Sequence, residues 1–120
     1  MEPKIKVTFR PPTSGGKREY VDKHELPVSK QDDAGTETIT FAASTHNFVV
    51  VIPEADKLFF DPEVTIEPTL HFRVTTTYET PKIKANVVSG QKYEYHVFCE
   101  EEGDWAHKRG ASPPKIIIKD

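Results

Sequence analysis

Tyr93-Glu94-Tyr95-His96-Val97-Phe98-Cys99 is the stretch that decides the fold. Tyr93, Tyr95, Val97 and Cys99 fall on one side of an extended chain, and Glu94, His96 and Phe98 on the other. This period of two predicts a β-strand with one buried face. Ser89-Gly90 supplies a turn before it. After it comes an acidic, glycine-containing loop, Glu100-Glu101-Glu102-Gly103-Asp104, which leads to Trp105 and His107. The strand thus ends on the only cysteine of the chain, and the loop carries its only tryptophan.

The same alternation recurs on both sides of this stretch. Ile5, Val7 and Phe9 share one face of a strand over residues 4–10. Ile39 and Phe41 do so over 36–42, and Leu70, Phe72 and Val74 over 69–77, with His71 and Arg73 facing out. Ile83, Ala85 and Val87 are expected on one face of a strand over 81–88, and the chain closes with a strand over 115–119. Residues 46–52, His-Asn-Phe-Val-Val-Val-Ile, are nearly continuous in apolar character and stop at Pro53, as expected of a strand covered on both faces. Residues 54–60 suit one or two helical turns, and residues 24–35, which contain Pro27, read as a long loop with an irregular edge segment. Ten scattered prolines argue against long helices. Seven or eight short strands separated by turn signals predict an all-β fold, an antiparallel β-sandwich with Greek-key connections.

Length and charge bound the rest. A chain of 120 residues without an internal linker is expected to form one domain spanning 1–120, large enough to fold on its own core. The net charge of −3 and the lack of a clustered Lys/Arg face argue against nucleic-acid binding. One cysteine excludes an internal disulfide and a multi-cysteine zinc site. No segment is apolar over the length of a membrane span, and the first residues lack a signal-peptide core. A soluble chain is therefore expected, cytoplasmic as given, or periplasmic or extracellular if a leader has been removed.

The order of parts resembles the cupredoxin family, the plastocyanin- and azurin-like domains. His46-Asn47-Phe48-Val49-Val50 opens an apolar strand after the alternating residues 36–41, and Ser89-Gly90 precedes an aromatic-rich strand ending on Cys99, a loop with His107 and a last strand. The similarity covers residues 36 to the C-terminus. It implies a sandwich with a mononuclear copper site at one end and electron transfer with a redox protein partner. Its ligands here would be His46, Cys99 and His107, with Asn47 tying the strand to the cysteine loop and Trp105 shielding the metal. Seven residues separate Cys99 from His107, more than the family's usual two to four. The positions of the family's axial methionine hold Ala111 and Ser112.

Two readings of these residues stand side by side. Two imidazoles and a thiolate form a donor set suited to copper in both oxidation states. Equally, Cys99 on the inward face with Tyr93, Tyr95 and Val97 is a small buried apolar residue, and the domain is a metal-free binding or interaction module. Catalysis by Cys99 is not expected, because the neighbouring glutamates oppose thiolate formation and no Gly-rich turn follows to stabilise an oxyanion.

Overall fold

The structure, a computed structural model, describes residues 4–9, 21–43, 46–101, 103–105 and 113–120. The described residues form the strands β1 (Lys6–Thr8), β2 (Glu25–Ser29), β3 (Thr40–Ala42), β4 (Phe48–Pro53), β5 (Phe59–Phe60), β6 (Thr69–Val74), β7 (Thr77–Glu79), β8 (Lys82–Ile83), β9 (Lys92–Glu94), β10 (His96–Cys99), β11 (Asp104–Trp105) and β12 (Lys115–Lys119). A short helix, α1 (Ala55–Leu58), precedes β5. The described residues are mostly β, as the alternating patterns predict.

The run Tyr93–Cys99 acts as two strands. Its first part, β9, pairs antiparallel with β12, with Tyr93 opposite Ile116. Its second part, β10, pairs antiparallel with β4, with Val97 opposite Val50 and Cys99 opposite Phe48. Tyr95 lies at the change of sheet, where its N–H donates to the Pro114 carbonyl at 3.0 Å. The sheets are ordered β1-β3-β7, β11-β10-β4-β6, β2-β12-β9 and β5-β8.

One cluster of buried side chains draws on all of these sheets. The alternation places Tyr93, Tyr95, Val97 and Cys99 inward, as expected. Phe41 of β3 meets Phe9, Phe72 and Tyr95 at ring-centre distances of 5.6, 5.5 and 5.8 Å, and so packs the first sheet onto the second. Tyr78 stacks on Phe72 at 3.7 Å and closes one side of this aromatic group.

Several expectations need correction. Residues 25–29, read as a loop with an irregular edge segment, form a regular edge strand, β2, with Leu26 and Val28 buried. Pro27 is accommodated because β2 is the edge of its sheet, where one row of backbone groups needs no strand partner. The sheets are not purely antiparallel: β1 runs parallel to β3, and β2 parallel to β12. Both pairs join strands remote in sequence. The strand expected over 81–88 reduces to Lys82–Ile83, and Ala85 is exposed rather than inward. Gly35 approaches the chain closely there. The Gly35 N–H donates to the Ile83 carbonyl at 2.7 Å, and a Cβ on Gly35 (φ 84°) would lie 3.1 Å from that of Ala85. β4 is fully buried on one face only: Phe48, Val50 and Ile52 point inward, while Val49 and Val51 are half-buried.

Two buried hydroxyls differ in their surroundings. Thr80 Oγ1 accepts from the Ile39 N–H at 2.9 Å and donates to the Pro81 carbonyl at 2.9 Å. Tyr95 is fully buried, and its hydroxyl makes no hydrogen bond among the described residues. Burial pushes its ionisation well above the usual phenol range. An unmet buried hydroxyl costs stability, whereas a satisfied one whose partners are left behind costs stability when removed. Tyr95→Phe is expected to raise unfolding stability by about 1 kcal/mol, and Thr80→Val to lower it by about 1–3 kcal/mol, in urea titrations.

Candidate functional site

The register of β4 with β10 builds the candidate site. Because Cys99 faces Phe48, His46 and Asn47, which precede β4, arrive at the end of the sheet where β10 terminates. Cys99 is fully buried and His46 is half-buried. Two backbone bonds hold the turn after Cys99. The Glu100 N–H donates to the Asn47 carbonyl at 3.0 Å, and the Gly103 N–H to the Cys99 carbonyl at 2.8 Å. Gly103 adopts φ 67°, a left-handed conformation that glycine takes without a side-chain clash.

The acidic loop is more organised than a solvated charge run. The Asn47 N–H donates to both oxygens of the Glu101 carboxylate, at 2.9 and 3.2 Å. Arg73 Nε–H donates to Glu100 Oε2 at 2.6 Å, tying the loop to β6. The Asn47 tie lowers the pKa of Glu101, and nearby His46 and Arg73 act in the same direction. Asn47 thus links its strand to the cysteine loop, as its place beside His46 suggests, but through its backbone. That is why the side-chain identities gave no sign of Glu101 as its partner.

The sequence-derived residues divide into three groups. His46, Asn47 and Cys99 come to one end of the β4–β10 ladder. Trp105 pairs with Phe98 and therefore shares its face, on the opposite side of the sheet from Cys99. Its ring meets Phe98 at 5.0 Å and remains 46% exposed. His107 lies outside the described residues. Among the described residues, no three His, Cys, Asp or Glu side chains gather as a metal-binding group.

Elsewhere, two hollows of about 480 and 740 Å³ flank the exposed Phe60. They mix Asp56, Asp61 and Glu63 with Lys82 and Lys84, and include none of His46, Asn47, Cys99, Glu100 and Glu101. No helix among the described residues is long and apolar enough to cross a membrane. No family model, curated protein or solved structure matches the chain.

The Glu101 tie has a defined pH dependence. A carboxylate whose folded pKa lies below its unfolded value contributes stability above the unfolded pKa, about 4.3 for glutamate. That contribution is lost as pH falls through the depressed folded value. The Asn47 amide resonance, followed by NMR from neutral pH to about pH 2.5, is expected to shift with a midpoint below the usual glutamate range. Glu101→Gln is expected to remove that titration.

Proposed function

We propose that the protein is a small non-enzymatic module, a cupredoxin-like Greek-key sandwich that takes a single copper ion at the end carrying His46 and Cys99. The observation that supports this is the register placing Cys99 opposite Phe48, which delivers a buried sulfur and a half-buried imidazole to the same end of one ladder. His46 and Cys99 would hold the metal, and His107 is the third ligand assigned by the resemblance. When bound, copper would supply one-electron transfer with a redox protein partner. The chain's own part is to hold the ligands in place. Asn47, Glu100 and Glu101 fasten the His46 segment to the turn after Cys99 by three hydrogen bonds, two of them to one carboxylate. Such a frame limits rearrangement between oxidation states. A nucleophilic role for Cys99 is not favoured, because the sulfur is fully buried and carboxylates follow it in sequence.

A second reading has its own support. Cys99 is packed within the apolar core, and Trp105 projects from the opposite face of the sheet. Both suit a metal-free interaction module.

Cu(II) titration separates the two. The copper reading predicts an intense visible absorption that Cys99→Ala abolishes while the fold, read by circular dichroism, is kept. A colourless protein whose Cys99 thiol still titrates after Cu(II) addition would leave the metal-free reading.

A further inference from the structure

The outward face of the sheet β11-β10-β4-β6 has an arrangement that the metal reading does not use. Directly opposed residues of an antiparallel ladder point to the same side. The registers therefore define two outward rows, Trp105–Phe98–Val49–Arg73 and His96–Val51–His71. Trp105 meets Phe98 and His96 at steep ring angles of 62° and 87°, at 5.0 and 6.2 Å. Phe98, Val49 and Val51 are half-buried, and His71 and Arg73 are exposed. Neither row contains a carboxylate; Glu100, at the margin, engages Arg73 through Nε. The first row is aromatic at one end and cationic at the other. Between them lies a valine pair that the continuous apolar run of β4 leads one to expect under cover.

We propose that this face docks a second copy of the same chain, about a two-fold axis lying in the interface and parallel to the strands. Such an axis lays each row on its own counterpart and reverses the strand order. β11 then faces β6 of the second copy, and β10 faces β4. Trp105 comes opposite Arg73 of the second copy, and Arg73 opposite its Trp105, giving two cation–π pairs. Phe98 meets Val49, and His96 meets Val51, again twice. An isologous interface requires this reciprocity: a patch whose two ends complement each other. The face is small. The seven outward residues of the two rows, each covering about 33 Å² at a strand spacing of about 4.8 Å, offer roughly 200–250 Å² per copy. The pair would bury roughly 400–500 Å², well below the ~1,200 Å² of a standard stable interface. The association is therefore weak and concentration-dependent. It needs no metal.

Sedimentation equilibrium from about 10 µM to about 1 mM tests this, with copper absent. The weight-average mass is expected to climb from 13.6 kDa towards twice that value. Val51→Lys, which places a charge in the centre of the interface, is expected to weaken association at least tenfold. Trp105→Ala, at an exposed position that leaves the core intact, is expected to weaken it severalfold and carries the test if Val51→Lys does not fold. A chain that stays monomeric at about 1 mM, whatever else it binds, would overturn the proposal. So would an association that a folded variant leaves unchanged.

Discussion

Everything in this molecule hangs on one change of partner at Tyr95. Up to Glu94 the chain pairs with β12, and from His96 onward it pairs with β4. The two ladders belong to different sheets, yet Tyr93, Tyr95, Val97 and Cys99 keep their side chains in the same apolar cluster throughout. A strand with a period of two loses its entire buried face on a one-residue slip. Because this strand serves two sheets, a slip would misplace both. The inward alternation therefore fixes the register with β4 and β12 together. The position of Cys99 beside the start of β4 follows from that register.

The end of the ladder is then closed by a few polar contacts. Glu101 caps the Asn47 N–H, Glu100 bonds to the Asn47 carbonyl through its backbone and to Arg73 through its side chain, and Gly103 turns the chain back at positive φ. The acidic loop thus has separate tasks within it: Glu100 reaches β6, while Glu101 holds the segment of His46. On the proposed copper reading this frame keeps the ligand segments from moving apart. On the metal-free reading it is a well-tied loop end.

Much of the fold was legible in the residues, because alternation reports burial directly. The inward sets Ile5-Val7-Phe9, Leu70-Phe72-Val74 and Tyr93-Tyr95-Val97-Cys99 all lie where their spacing puts them, apart from Leu70, which is only half-buried. Of β2 only an irregular edge segment was legible, because Pro27 reads as a strand breaker; the sheet order shows a full strand at that edge. The parallel pairs β1–β3 and β2–β12 left no local mark, since they join strands far apart in sequence. The brief strand β7 is too short to display a period, and β8 keeps only two residues of the strand that the alternation over 81–88 suggests. For the candidate site, His46 and Cys99 were visible as residue types, but their shared end became evident only with the ladder register. The Asn47–Glu101 tie was invisible because its donor is a backbone N–H, which every residue except proline carries.

On the proposed copper reading, the β4–β10 register brings His46 and Cys99 together as ligands. X-ray absorption spectroscopy at the copper edge, on protein loaded with one equivalent of metal, tests it most directly. The expected result is one sulfur scatterer at about 2.1–2.3 Å together with imidazole nitrogen at about 2.0 Å, distances of the kind found for thiolate and imidazole ligands. A first shell of nitrogen and oxygen alone would contradict it, because it would place the metal away from Cys99.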